Sequence, residues 1–180
     1  MLSYNVAGLL RSTPGTARTF PVRLPSLEIA PDVHVVAPVV GEVRLSRTGR
    51  SILARAHLTT ALEEHCSRCL TPLAAPVAVD VDEEALPSID LLTGAPLDVS
   101  AEPEALRLDD HHELDLSEAV RAAISLAEPI RPLCRPDCRG LCEACGADLN
   151  LDPTHAHLDA DPDPRLAALA AWQPPSDHAP

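Results

Sequence analysis

The sequence contains no lysine and almost no aromatic residues. Tyr4, Phe20 and Trp172 are the only aromatic side chains among the 180 residues. This shortage argues against base stacking as the main way of recognising single-stranded nucleic acid, because stacking uses aromatic rings. Since 46% of the residues are hydrophobic, a core can still form. That core must consist mainly of leucine, valine, isoleucine and alanine.

Long apolar runs are also missing. No run approaches the ~18–20 residues that a membrane-spanning helix needs. The first twenty residues carry no continuous apolar segment before a small-residue cleavage site, so we expect no signal peptide. These two features predict a cytoplasmic protein. In a reducing cytosol, clustered cysteines bind metal more often than they form disulfides.

The net charge of −13 is unevenly distributed along the chain. Residues 1–60 contain seven arginines against three acidic residues, residues 61–133 four against sixteen, and residues 134–180 three against eight. General binding to a phosphate backbone needs many cations, so this composition argues against it. Any nucleic-acid contact is expected on the arginine-bearing N-terminal part. The acidic part would suit a basic protein partner.

The clearest strand pattern lies in residues 39–62. Apolar and polar side chains alternate on both sides of Arg47-Thr-Gly-Arg50, which predicts an antiparallel hairpin with one solvated face. The alternation returns at residues 77–82 and predicts a third strand. We therefore expect an α+β protein whose body is an antiparallel sheet, from about residue 20 to 85, either open or curled toward a barrel.

One amphipathic helix is predicted at about residues 115–128. Asp115-Leu-Ser-Glu118 is a variant of the capping box that begins helices, and the following apolar residues recur with helical spacing. Pro129 ends the pattern. This helix should cover the apolar face of the sheet.

These segments suggest three parts. An α+β body is expected over residues 1–130, with an acidic loop near 82–113. A zinc-binding module with a short C-terminal helix is expected over residues 131–172. Residues 173–180 are expected to form a tail.

Four of the six cysteines lie within twelve residues, with the spacing C-x3-C-x3-C-x2-C: Cys134, Cys138, Cys142 and Cys145. Thiolates are good zinc ligands, and four of them complete a tetrahedral shell. The second pair has the spacing of a metal knuckle, followed by Gly146, which lets backbone amides turn toward the sulfurs. These four cysteines are therefore predicted to bind one zinc ion. Buried or disulfide-bonded cysteines are the alternative.

Two other ligand sets would use the same knuckle at Cys142 and Cys145. They pair it either with His155 and His157 or with Cys66 and Cys69. Each set fills four positions and leaves none open for a substrate, so the site is expected to be structural rather than catalytic.

Cys66-Ser-Arg-Cys69 allows two further interpretations. It could be a redox pair, or a turn whose thiols pack against the sheet. A thioredoxin-type pair needs a strand-to-helix context, whereas here Pro72 follows and strands are predicted on both sides. The redox interpretation is therefore the less favoured one.

The only concentration of basic residues lies on the predicted hairpin and on the segment after it: Arg44, Arg47, Arg50, Arg55 and Arg68. These are the candidate RNA contacts, and a plain polar surface is the alternative. The sequence shows no triad of serine, histidine and aspartate, no phosphate-cradling glycine loop and no paired-carboxylate motif in a supporting context. We therefore expect a protein that is not an enzyme.

Several short motifs follow one another in a characteristic order along the chain. They are Cys66-Ser-Arg-Cys69-Leu after an alternating strand, Val81-Asp-Glu-Glu84, Asp115-Leu-Ser-Glu118, Leu133-Cys-Arg-Pro-Asp-Cys138 with Cys142-Glu-Ala-Cys145-Gly, Leu149-Asn150, and Asp163-Pro164-Arg165-Leu166-Ala-Ala-Leu169. In this order and spacing the chain resembles the YceD-like family, named for bacterial proteins linked to accumulation of 23S ribosomal RNA.

The resemblance implies a cytoplasmic, non-enzymatic ribosome biogenesis factor. Such a factor would support processing or accumulation of 23S rRNA by binding rRNA or a large-subunit protein, with no membrane and no small-molecule substrate involved. The alternative is a stand-alone zinc-ribbon adaptor that binds proteins in another pathway.

Overall fold

The computed structural model describes residues 2–98 and 105–157, together with residues 165, 166, 169 and 172. The elements in chain order are β1 (Ser3–Asn5), α1 (Ala7–Leu10), β2 (Ala17–Leu24), β3 (Val39–Thr48), β4 (Ser51–His65), β5 (Pro72–Leu86), β6 (Leu106–Arg107), β7 (Glu113–Asp115) and α2 (Ser117–Leu126).

The main sheet has five strands in the order β2-β3-β4-β5-β6. The predicted hairpin is confirmed, since β3 and β4 pair antiparallel and a tight turn at Gly49 and Arg50 joins them. β4 and β5 form the longest ladder, from Ile52 opposite Ala85 to His65 opposite Pro72. Among the described strands, only the contact between β5 and the two-residue β6 is parallel.

The sheet stays open, and the expectation that it curls into a barrel is wrong. A barrel closes only when its two outermost strands pair with each other. Within the described residues, β2 and β6 lie at opposite ends of the sheet order and do not pair. β6 covers only Ala85 and Leu86 of β5. Prolines suit strands with an open edge because they cannot donate a ladder hydrogen bond, and Pro21 and Pro76 lie in β2 and β5.

The sheet buries one face, as its alternation predicts. Leu45, Ile52 and Leu58 are almost completely buried, whereas Arg55 and His57 on the opposite face are exposed. The core contains the expected aliphatic side chains, and Tyr4 and Phe20 pack only at its margin. At about 25 cal/mol per Å² of apolar surface removed from water, such burial is the main force holding the body together.

The predicted amphipathic helix is confirmed as α2. It buries Val120 and Ile124 against the sheet. The Asp115 carboxylate accepts a hydrogen bond from the Ser117 amide at 2.8 Å. The predicted capping box does not form, because the helix begins at Ser117 with Leu116 as its N-cap and Glu118 pairs with Arg121 at 3.3 Å instead. Among the described residues, no helix is both long and apolar enough to cross a bilayer.

Two other predicted segments differ from expectation or fall outside the described chain. The acidic loop begins later than residue 82, because β5 continues to Leu86. The loop also contains β6, and residues 99–104 lie outside the described part. Residues 158–164, most of residues 165–172, where the short C-terminal helix of the predicted zinc module would lie, and all of the predicted tail also lie outside it.

Candidate metal centres

The turn between β4 and β5, residues 66–71, has the geometry of a metal knuckle; we call it the first turn. The Cys66 amide donates to the Thr71 carbonyl at 2.9 Å, and the Leu70 amide donates back to the Cys66 carbonyl at 2.9 Å. Leu70 adopts a φ of 60°, in the left-handed region that normally favours glycine. This backbone places the Cys66 and Cys69 sulfurs in one cluster.

Residues 142–147 form a second turn with the same backbone. The Cys142 amide donates to the Ala147 carbonyl at 2.8 Å, and the Gly146 amide donates to the Cys142 carbonyl at 2.8 Å. Gly146 has a φ of 75° at the position that Leu70 occupies in the first turn. The trailing glycine identifies the second turn from sequence, whereas the leucine at the equivalent position hides the first.

The first turn contributes to a cluster of four cysteines, which we call the four-cysteine cluster: Cys66, Cys69, Cys134 and Cys138. The Sγ atoms of Cys66 and Cys138 lie 3.8 Å apart, and those of Cys69 and Cys134 lie 3.6 Å apart. Four sulfurs each about 2.3 Å from a tetrahedral zinc ion would lie about 3.8 Å from one another. The cluster therefore has the dimensions of a zinc site with four thiolate ligands.

Backbone contacts hold the two halves of this cluster together. The Ser67 amide donates to the Pro132 carbonyl at 2.8 Å, and the Leu141 amide donates to the Arg68 carbonyl at 3.2 Å. The Arg68 guanidinium donates to the Cys138 carbonyl at 2.6 Å. These bonds dock the segment after α2 onto the end of the β4–β5 hairpin.

Gly140 is part of this docking. Its φ is 80°, and a Cβ at this position would lie 3.0 Å from the Arg68 carbonyl oxygen. Glycine is therefore required here both for its backbone conformation and for the close approach of the first turn.

Asn150 supports the four-cysteine cluster from the side, a role that the sequence analysis did not identify. Its amide nitrogen lies 3.5 Å from Cys138 Sγ, and its oxygen accepts the Arg139 backbone N–H at 2.9 Å. The same oxygen accepts a bond from the Arg135 guanidinium at 2.7 Å. The Leu149-Asn150 motif pointed to this position, but only the fold shows what the side chain contacts.

The second turn contributes to a separate cluster, which we call the cysteine–histidine cluster: Cys142, Cys145, His155 and His157. The Cys145 sulfur lies 3.2 Å from Nε2 of His155 and 3.3 Å from Nε2 of His157, and the two Nε2 atoms are 2.9 Å apart. These distances are slightly shorter than the roughly 3.3–3.5 Å expected around a tetrahedral zinc ion. Both imidazoles direct the same ring nitrogen to one point.

The structure divides the four cysteines predicted to share one ion. Cys134 and Cys138 join the first turn, and Cys142 and Cys145 join the two histidines. Cys138 and Cys142 are close in sequence but belong to different clusters. The reason is that the chain reverses direction at Gly140, where it packs against the first turn. Of the alternative sets, the one with His155 and His157 matches an observed cluster. Cys66 and Cys69, the remaining alternative, are distant in sequence from the other cysteines, but they meet Cys134 and Cys138 rather than the knuckle at Cys142 and Cys145.

Backbone amides stabilise the thiolate form of the first cysteine in each turn. Hydrogen bonds from the backbone N–H groups of Cys69 and then Cys134 lower the pKa of Cys66 to about 6. Those of Cys145 and then Ala144 lower the pKa of Cys142 to about 6. Since thiolates are the metal-binding form of cysteine, both turns present a cysteine suited to coordination.

The sulfur distances exclude disulfides in this structure. All six cysteines lie in the described part of the chain, and all are free. A bonded pair would be about 2.05 Å apart, far below the 3.6–3.8 Å between sulfurs of the four-cysteine cluster. The first turn also joins two antiparallel strands, so the strand-to-helix context of a thioredoxin-type pair is not present at Cys66 and Cys69.

The five candidate arginines do not form one surface. Arg44 and Arg55 are opposite each other on the exposed face of the sheet, and Arg55 forms an ion pair with Asp82 at 2.7 Å. Arg47 and Arg50 line a depression beside the β3–β4 turn. Arg68 belongs to the first turn, at the far end of the fifteen-residue strand β4, which spans roughly 50 Å.

Comparison with protein families identifies the chain. A family model described as "Large ribosomal RNA subunit accumulation protein YceD" matches residues 54–172. The chain belongs to the YceD family. The matched range includes most of β4, all of β5, both turns and all six cysteines.

The curated relatives are mycobacterial. Uncharacterized proteins of Mycobacterium tuberculosis (strain H37Rv) and Mycobacterium bovis are each 32% identical over 122 residues, which cover 67% of this chain and 56% of each relative. An uncharacterized protein of Mycobacterium leprae is 28% identical over 153 residues, covering 83% of this chain and 68% of the relative. The chain thus spans little more than half the length of the first two. No solved structure gave a significant match.

Proposed function

We propose that this protein is a non-enzymatic, cytoplasmic factor that supports processing or accumulation of 23S rRNA during ribosome biogenesis. The observation that carries this proposal is the family match over residues 54–172, which takes in β5, both turns and both clusters. The family's description concerns accumulation of the large ribosomal RNA. The two clusters offer four ligands each, which suits structural metal binding better than catalysis.

We further propose that the clusters bind zinc. The sulfur spacing supports it, as do the paired Nε2 atoms and the amide hydrogen bonds to the first cysteine of each turn. Thiolate and imidazole ligands in a tetrahedral arrangement are typical of zinc. A structural zinc ion can contribute on the order of 10 kcal/mol to folding. That contribution would order a C-terminal segment in which Leu133, Leu141 and Leu149 supply little apolar burial.

The partner that fits the charge best is a basic protein of the large subunit. The chain carries a net charge of −13, and of the five candidate arginines Arg47 and Arg50 share one depression. Two further arginines line that depression, but so do Asp90 and Asp98. Asp80, Asp82 and Glu84 alternate along the exposed face of β5. A basic protein is attracted by such a surface, whereas an RNA backbone is repelled.

The proposed role is tested by deleting the gene in its host and measuring the ratio of 23S to 16S rRNA. We expect this ratio to fall and to be restored by the wild-type gene. The control is a Leu126→Ala variant, which changes an 88% exposed side chain outside both clusters and should restore the ratio fully. An unchanged ratio in the deletion strain would contradict the proposal.

The partner is tested by capturing the tagged protein with and without nuclease treatment. Retention of a large-subunit protein after nuclease favours direct protein binding. Loss of all ribosomal material favours rRNA as the partner instead. Capture of a non-ribosomal protein alone would support the alternative zinc-ribbon adaptor.

A further inference from the structure

The two clusters use separate and complete ligand sets. Each contains four side chains that offer one ligand atom each, and the four ligand atoms of a cluster lie within 4.8 Å of one another. No residue belongs to both clusters. Each turn supplies two ligands with the same backbone geometry, so neither cluster depends on the other to place its first pair. The chain therefore offers two separate sets of four ligand atoms.

The clusters differ in how far apart their ligands lie in the sequence. In the four-cysteine cluster, 72 residues separate Cys66 from Cys138 and 65 separate Cys69 from Cys134. In the cysteine–histidine cluster, all ligands come from residues 142–157. An ion in the first cluster would close a long loop, whereas an ion in the second would close only a short one.

The clusters also differ in exposure. Cys66 and Cys138 are 0% and 1% exposed, and Leu73 and Leu141 pack against them. In the cysteine–histidine cluster, Cys145 and His157 are exposed to solvent. A chelator can therefore reach the second set of ligands directly. It can reach the first only through Cys134 or after the segment has undocked.

From these differences we propose that the protein binds two zinc ions with different tasks. The ion in the four-cysteine cluster links the segment after α2 to the end of the β4–β5 hairpin. The ion in the cysteine–histidine cluster orders its own loop, which contacts the four-cysteine cluster through Asn150, and exchanges more readily. This inference rests on the proposed zinc binding. It adds the number of ions, their separate ligand sets, and the distinction between an ion that links two segments and an ion that orders one loop.

The stoichiometry is tested by native mass spectrometry of the full chain loaded with zinc. We expect two ions on the wild type and one on each of the matched variants Cys134→Ser and Cys142→Ser. His157→Ala, which changes an exposed side chain, should also retain one ion. Circular dichroism of each variant checks that the sheet remains folded.

The division of tasks is tested by limited digestion with trypsin. The chain has no lysine, so trypsin cleaves only after arginines, one of which is Arg68 in the first turn. Cleavage after Arg68 should become faster, on the order of tenfold, in Cys134→Ser, because local opening exposes the turn. The increase should be smaller in Cys142→Ser, because the loop of the cysteine–histidine cluster contacts this region through Asn150 but supplies none of the four sulfurs. Timed chelation of the wild type should show a fast and a slow phase, with the fast phase missing in Cys142→Ser.

The possible failures are distinguishable. One ion on the wild type, or loss of both ions in Cys142→Ser, would overturn the two-site inference and leave zinc binding intact. Equal cleavage after Arg68 in both variants would overturn the division of tasks. Zinc absent from the wild type, with all six thiols reactive, would refute the proposed zinc binding itself. None of these results bears on the rRNA ratio, which tests the biological role separately.

Discussion

The first and second turns have the same backbone hydrogen bonds in very different surroundings. The first closes a ladder in which β4 and β5 pair along their whole length. The second is closed by a single bridge between Leu141 and Asp148 and by the bond from the Leu149 amide to the Gly140 carbonyl. A knuckle can thus form on a rigid hairpin or on a short loop. Its local geometry is the same, but the stability of its surroundings is not.

If the proposed zinc ions are bound, the largest expected difference between the turns appears when a chelator removes them. The equivalent amides are Leu70, which donates to Cys66, and Gly146, which donates to Cys142. After chelation, the Gly146 amide should lose its protection from hydrogen exchange, because the loop has few contacts besides its ligands. The Leu70 amide should retain part of its protection, because the hairpin stays folded through its hydrophobic core.

This experiment is read by hydrogen exchange in the wild type before and after chelation. Amides of β4, such as that of Leu58, provide the internal control because Leu58 is buried in the main core, which is separate from the cluster around Cys66 and Cys138. Equal loss of protection at Leu70 and Gly146 would show that the hairpin does not stabilise the first turn. Loss at Leu58 as well would show that the whole sheet depends on the metal.

A smaller difference is expected from two alanine substitutions at glycines with positive φ. Gly140→Ala combines an unfavourable φ of 80° with a Cβ 3.0 Å from the Arg68 carbonyl, so it should destabilise the docked segment by about 1–3 kcal/mol. Gly146→Ala has a φ of 75° but no heavy atom within 4 Å of the new Cβ, so only the conformational cost of about 1 kcal/mol applies.

Both variants are compared by urea unfolding and by the rate of trypsin cleavage after Arg68. Gly140→Ala should accelerate this cleavage. Gly146→Ala should not, because Gly146 lies outside the contact between the first turn and the segment after α2. If Gly146→Ala were the more damaging substitution, the close approach at Gly140 would not be a determinant of docking.

The smallest effect is expected at Leu70. Its φ of 60° is unfavourable for leucine, and its side chain is 61% exposed, so little packing is lost on truncation. Leu70→Gly should therefore make the first turn resemble the second and raise the free energy of unfolding by up to about 1 kcal/mol. Leu70→Ala, which keeps the unfavourable conformation, is the control and should bring no gain. Destabilisation by Leu70→Gly would show that the leucine side chain contributes packing that outweighs the backbone strain.

The sheet and the main helix could be predicted from the sequence because their signals are local. Apolar residues alternate through β3, β4 and part of β5, and they recur with helical spacing in α2. The prediction failed where pairing is decided at a distance. Whether β2 and β6 meet depends on the twist and extent of the whole sheet, and no local pattern encodes it.

The candidate metal centres divide in the same way. Residue type and spacing alone indicated which side chains can bind a soft metal and placed a knuckle at Cys142 and Cys145, since both are local properties. The grouping of the cysteines could not be predicted, because Cys134 and Cys138 lie near the second turn in sequence and far from the first. The first turn lies at the end of the β4–β5 ladder, where it meets the segment after α2. At Gly140 the chain packs closely against the first turn and reverses, so the cysteines before and after Gly140 belong to different clusters. Residue chemistry therefore determines which side chains can act as ligands, whereas long-range packing determines which of them share one site.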